Sequence, residues 1–253
     1  TVVGDAHRIY LPDLSNYRQG RDRLRGLRLV HTHLQPEGLD DDDLTDARWK
    51  ADFEFAVPAN LKSGVYAAHL TVDGSEDYVP FFVRPKKGGA TAKICLLMPT
   101  LSYLAYANEH VLVAPAIRRL MGAEAARYPS QREDVYVVEH NLLSLYDHHS
   151  DGSGVCYTSR LRPILNMRPK YNMQSISKGK GSPHQFNADL HLLDWLVAKG
   201  YDFDVVTDED LHHEGLKLLS PYKVVVTGSH PEYWSGQMLD TLQSYLNNGG
   251  RLM

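Results

Sequence analysis

The chain has 253 residues, is 43% hydrophobic and 23% charged, and carries a formal net charge of −4. That composition suits a soluble globular protein of roughly two domains. The mild acidity gives no basis for a nucleic-acid or membrane-surface partner, and no apolar run approaches the roughly 20 residues of a membrane span. Two cysteines make no disulfide framework and no basic, apolar leader opens the sequence, so a cytoplasmic location is expected.

Residues 1–48 differ in character from the rest. Leu11-Pro12-Asp13-Leu14 precedes a basic segment from Arg18 to Arg28, then Leu29-Val30-His31-Thr32-His33-Leu34 and an acidic run from Asp40 to Asp43. By pattern these charge runs are solvated surface. His31 and His33 share a strand face but lack a third ligand nearby for a metal. With Val3-Gly4-Asp5-Ala6 and the run from Arg23 to Leu34, residues 1–46 resemble the N-terminal domain of HflX-type ribosome-associated GTPases. The resemblance implies ribosome binding through that segment. It does not extend to GTP hydrolysis, because Lys178-Gly179-Lys180-Gly181-Ser182 lacks the first glycine of a phosphate-cradling loop and follows no strand.

Residues 49–89 read as part of a β-sandwich plus a linker. Ala51, Phe53, Phe55 and Val57 alternate with polar or small residues, Val65 to Val72 is a second strand, and Tyr78 to Val83 a third, with Pro80 arguing for a sheet edge. Pro85-Lys86-Lys87-Gly88-Gly89 is the linker.

Residues 90–253 alternate strand and helix. Ile94 to Met98 is a buried strand containing Cys95 as a small core residue. A helical turn follows over 101–109, and Val135-Tyr136-Val137-Val138 is expected as a strand. The His-, Ser-, Gly- and Pro-rich stretch 147–182 reads as an active-site cover. Ser182-Pro183 reads as the cap of a helix stopped by Gly200. Phe203 to Val206 and 223–227 are further strands, and Ser235 caps a last helix whose apolar positions are Met238, Leu239, Leu242, Tyr245 and Leu246. The expected fold is α/β: a three-layer parallel sheet of glutamine-amidotransferase-like (flavodoxin-like) type, preceded by the sandwich part. Arg251-Leu252-Met253 starts like another strand, so the chain is expected to be a fragment, truncated at its C-terminus.

The loop Gly228-Ser229-His230-Pro231-Glu232-Tyr233-Trp234-Ser235 follows a strand's carboxyl end, where open α/β sheets bind ligands. Pro231 favours extension at His230, which would aim His230 and Glu232 the same way. A Cys-His-Glu or Ser-His-Asp hydrolase is disfavoured, since no nucleophile stands on a tight strand-to-helix turn. A two-histidine-one-carboxylate iron site would take Glu232, His230 and one of His184, His212 or His213. A non-catalytic glutamine-amidotransferase-like binding module is the alternative.

Residues 49–253 resemble the large, catalytic subunit of the N,N-dimethylformamidase family through Ser63 to Ala67, Val79 to Pro85, Met98 to Asn108, Ser144-Leu145-Tyr146-Asp147, Thr207 to His212 and Gly228 to Ser235. The resemblance implies hydrolysis of a small N-substituted amide, such as N,N-dimethylformamide to formate and dimethylamine, by one non-haem iron, expected to be ferric. It implies Tyr106, Tyr146 and Glu232 as ligands. Tyr103, one turn earlier, is an alternative to Tyr106. His230 and Glu232 are the expected catalytic pair, and Tyr103, Asn108 and Trp234 the expected substrate pocket. A small companion subunit and a homo-oligomer of the pair are also implied.

Overall fold

The computed structural model describes residues 54–109, 131–149, 153–155, 157–173 and 181–253, together with Ala47 and the backbone of two short strands, β1 (Gly4–Asp5) and β2 (Arg8–Ile9). His31, His33, Cys156 and the sequence motifs of the first 46 residues outside those strands fall beyond the described residues.

A hairpin comes first in the folded body. β3 (Gly64–Val72) pairs antiparallel with β4 (Ser75–Val83) across the turn Asp73-Gly74. In a two-stranded ladder each strand has a free side, which is why Pro80, lacking an N–H, is tolerated opposite Ala67. The strand expected over 51–57 does not form at 54–57, and residues 51–53 are not described. The sandwich part is therefore this hairpin among the described residues. Two side chains fasten it to the main body. Ser63 Oγ accepts the Val205 N–H at 2.8 Å, and Arg84 pairs with Asp210 and, at 2.7 Å, with Glu214.

The main body is a four-stranded, all-parallel sheet in the order β6-β5-β7-β8, with β5 at Ile94–Met98, β6 at Phe203–Thr207, β7 at Val224–Thr227 and β8 at Arg251–Leu252. Alternation along β5 feeds two cores. Cys95 and Leu97 face one side, with Leu211, Leu219, Met238, Leu242 and Tyr245; Leu96 and Met98 face the other, with Tyr103, Phe186 and Leu196. Helices on both faces explain why β5 is a continuous apolar run. They are α1 (Thr100–Ala105) and α3 (Phe186–Ala198) toward the second core, and α4 (Asp208–Glu214), α5 (Leu216–Leu219) and α6 (Gly236–Asn247) toward the first. Among the described residues no helix is long and apolar enough to cross a membrane.

Local sequence dictates the ends of α6. Ser235 Oγ accepts the Met238 N–H at 3.2 Å, and Gly249 takes φ +86° beyond the last turn, a conformation open to glycine. Of its apolar positions, Met238, Leu242 and Tyr245 are buried whereas Leu239 and Leu246 are exposed.

Two further expectations are corrected by the fold. Val135 to Val138 lie in a helix, α2 (Arg132–Glu139), which opens on Glu133 and Asp134, well placed against the helix dipole, and turns Asp134 and Val137 inward one turn apart. Helix α3 begins not after Ser182-Pro183 but at Phe186, because Ser182 is engaged in an antiparallel bridge with Met173 and Gln185 enters the helix at φ +55°.

Candidate functional site

Strand order sets the location of the site. The chain runs from β5 to β6 on one side and then crosses to β7 on the other, so the order reverses at β5. At such a point the segments leaving the carboxyl ends of β5 and β7 diverge and open a crevice. The first of these segments carries α1 and, at its C-terminal cap, Tyr106; the second carries His230 and Glu232. The two meet there. The Tyr106 hydroxyl donates to Glu232 Oε2 at 2.8 Å, His230 Nε2 lies 2.9 Å from the same oxygen, and the Tyr106 hydroxyl is 3.3 Å from His230 Nε2.

Tyr146 joins them from a third segment, which the Leu145 N–H anchors to Ala105 O at 3.3 Å. Its ring stacks on Tyr106 with centroids 4.6 Å apart, and its hydroxyl lies 2.5 Å from the hydroxyl of Tyr233. His184 closes the group, its ring edge-on to Tyr106 at 5.5 Å and 6.0 Å from that of His230.

Buried polar groups hold this arrangement from behind. Asp189, on α3, is 1% exposed; its Oδ1 accepts the Ser229 N–H at 2.5 Å and its Oδ2 accepts the Tyr103 hydroxyl. Gly228 passes so close that a Cβ there would sit 2.3 Å from Asp189 Oδ2 and 2.6 Å from Pro99 Cδ, so no larger residue fits. Ser102 Oγ, fully buried on α1, accepts the Glu232 N–H at 2.9 Å. One short helix thus supplies both a hydroxyl ligand candidate and the clamp on the loop opposite.

The electrostatics are those of a crowded set of oxygen acids. Tyr106 is pushed up to about 12, first by partial burial, then by donating to Glu232 and lying near its charge, while the nearby Tyr146 hydroxyl pulls the other way. Tyr146 is raised to about 12 by burial and by the neighbouring Tyr106 hydroxyl; Tyr233 is raised by burial and by its contact with Tyr146. Left to themselves these phenols stay protonated at neutral pH. A cation would invert that, since phenolates packed beside a carboxylate need a shared positive charge. Hard anionic oxygens of this kind suit ferric iron, so Tyr106, Tyr146 and Glu232 fit the implied metal. Among the described residues no three His, Cys, Asp or Glu side chains form a metal-holding cluster, which weighs against the two-histidine-one-carboxylate arrangement. His212 is engaged elsewhere, with its Nδ1 2.9 Å from Ser235 Oγ. His184 is lowered from its ordinary value by burial and by the neighbouring His230, against a smaller upward pull from Asp189.

The other expected site residues face inward. Tyr103 is 3% exposed and its hydroxyl is committed to Asp189. Asn108, at φ +62°, is buried; its Nδ2 donates to Pro163 O at 2.6 Å and its Oδ1 accepts the Leu165 N–H at 2.9 Å, so it clasps the 163–166 segment. Trp234 packs against the first core, its indole N–H facing Asp208 without closing a hydrogen bond of normal geometry. A cleft beside Tyr106, lined also by Tyr103, Met167, Tyr171, His184 and Phe186, has a volume of ≈ 10 Å³, room for about one water. Sequence reasoning missed Asp189 and Ser102, whose roles arise only from contacts 40 and 130 positions away.

Fold and site together define a mixed α/β protein with a parallel sheet, a small antiparallel hairpin, and a tyrosine-histidine-glutamate cluster at the sheet's carboxyl rim. Residues 15–253 match the family described as N,N-dimethylformamidase beta subunit-like, C-terminal, and the chain belongs to that family. It is 48% identical over 217 residues to the N,N-dimethylformamidase beta subunits of an Alcaligenes species and of Paracoccus aminophilus, covering 84% of this chain and 27% of each relative. The chain thus spans about a quarter of the length of the curated relatives it matches.

Two expectations are overturned. The relatives are named as the beta subunit, not as a large catalytic subunit. The family match begins at residue 15, so most of the segment compared with HflX-type GTPases aligns with the dimethylformamidase family instead, and that second resemblance has no support.

Proposed function

We propose that this chain carries the hydrolytic site of an amidohydrolase acting on small N-substituted formamides, with N,N-dimethylformamide, formate and dimethylamine as its substrate and products. The observation that carries the reading is the convergence of Tyr106, Tyr146 and Glu232 around His230, in a chain 48% identical to N,N-dimethylformamidase beta subunits. Tyr106, Tyr146 and Glu232 would hold a single ferric iron. When bound, that ion supplies Lewis acidity, polarising the amide carbonyl and lowering the pKa of water.

The protein's own groups do the rest. His230 Nε2 is held by Glu232 at 2.9 Å on the side of the cluster that faces solvent, with its side chain 43% exposed. With Nε2–H donating to that carboxylate, the other ring nitrogen, Nδ1, accepts a proton as water attacks the formyl carbon. It returns that proton to the amine nitrogen as the C–N bond breaks, so formate and dimethylamine leave with atoms balanced. Ser102 and Asp189 fix the loop so that His230 and Glu232 meet the tyrosines with little reorganisation. The beta-subunit naming of the relatives implies a companion subunit, and we take the active form to be that complex.

The test is hydrolysis of N,N-dimethylformamide by the full-length protein with its companion, for wild type and His230→Ala. The reading predicts turnover in the wild type and a loss of about 10²–10⁴-fold in kcat for the variant, with iron retained. Undiminished turnover in the variant would overturn the role of His230.

A further inference from the structure

We propose that Tyr233 is the hydrogen-bond donor to the Tyr146 oxygen, and so tunes the electron donation of that phenolate without being a metal ligand itself. The inference rests on the site reading above and extends it to a residue outside the expected ligand set.

Protons can be counted along the cluster. Two hydroxyl contacts flank the stacked rings of Tyr106 and Tyr146: Tyr106 with Glu232, and Tyr146 with Tyr233. The carboxylate can only accept, so Tyr106 donates to Glu232 Oε2, at 2.8 Å. In the 2.5 Å contact between Tyr146 and Tyr233 either hydroxyl can donate while both carry protons. As a ligand to a cation Tyr146 would have given up its proton, and Tyr233 is then the partner in this contact that still has one to give. A phenolate oxygen accepting such a charge-assisted bond is a weaker electron donor than a bare one.

The geometry favours donor over ligand. Tyr233 follows Glu232 directly, and its ring stands edge-on to Tyr106 at 6.4 Å and 75°, whereas the rings of Tyr106 and Tyr146 stack.

The experiment compares visible absorption and iron content of the full-length protein, wild type and Tyr233→Phe, with Tyr66→Phe as control; Tyr66 lies on β3 and donates to Lys62 O at 2.9 Å. Wild type is expected to show a phenolate-to-iron absorption band. Tyr233→Phe is expected to keep its iron and move that band to longer wavelength, and Tyr66→Phe to leave it unchanged. An unshifted band in Tyr233→Phe overturns the proposal, as does loss of iron from a folded Tyr233→Phe protein, which would make Tyr233 a ligand. If Tyr233→Phe does not fold, the phenolate C–O stretch of the wild type is measured in H₂O and D₂O; sensitivity to deuterium supports the donor and insensitivity overturns it. Absence of the band in the wild type overturns the site reading and this inference together, and is seen before any substitution.

Discussion

The Tyr106 hydroxyl and Glu232 Oε2 are hydrogen-bonded at 2.8 Å although 126 positions separate the residues in sequence. The fold makes this contact by pairing β5 directly with β7 in parallel register, Leu97 opposite Thr227, so that the segments leaving both strands start side by side. Everything proposed for the site depends on that adjacency.

Tyr103 and Tyr106 lie nearly one turn apart on the same segment, yet the structure gives them opposite surroundings. Tyr103→Phe removes a buried donor from Asp189 and is expected to lower stability by about 1–3 kcal/mol while leaving iron bound. Tyr106→Phe is expected to change stability by less than about 1 kcal/mol and to abolish iron binding, since its hydroxyl sits at the rim. Urea unfolding paired with metal analysis separates the two; iron loss in Tyr103→Phe alone would reverse the assignment.

Gly228→Ala tests how tightly the loop is seated. The new methyl would meet Asp189 Oδ2 at 2.3 Å and Pro99 Cδ at 2.6 Å, neither at the end of a long flexible chain. The expected destabilisation is about 1–3 kcal/mol. Turnover should also fall, because displacing His230 and Glu232 by about 1 Å can cost on the order of 10²-fold. A variant with wild-type stability and turnover would mean that the loop tolerates movement.

How much of this was readable in the sequence depended on whether the cause was local. Ser235 and Gly249 announce the ends of α6 because cap and stop act within a few residues. The β-branched run Val135 to Val138 misleads, since its helix is decided by distant partners: Asp134 accepts the Tyr171 hydroxyl at 2.9 Å from inside the protein. Ser182 looks like a cap until Met173, nine positions earlier, claims its N–H and C=O. At the site, His230 and Glu232 are legible as a motif on an extended loop, and the structure brings them within 2.9 Å of one another. Asp189 and Ser102 are not legible, because nothing near either in sequence signals that it will hold a loop far away.

Asp208 gives a prediction in pH. Burial raises its carboxyl to about 7, against weaker downward pulls from the Leu101 and Trp234 N–H groups. The unfolded value is about 3.9, so the folded protein favours the protonated form. The resulting stabilisation is complete below about pH 4 and is lost as pH rises through about 7. Asp208→Asn keeps an oxygen for the Leu101 N–H, 3.1 Å away in the wild type, and removes the titration. Between pH 5 and pH 8, urea unfolding should show wild type losing about 1–3 kcal/mol more stability than the variant. Equal slopes would refute the buried, raised carboxyl.

The most direct test of the account is the visible spectrum and iron content of the full-length protein with and without the Tyr146 hydroxyl. The account predicts iron and a phenolate-to-iron absorption band in the wild type, and loss of iron, band and amide hydrolysis in Tyr146→Phe. A Tyr146→Phe protein that kept its colour, its iron and its turnover would contradict it.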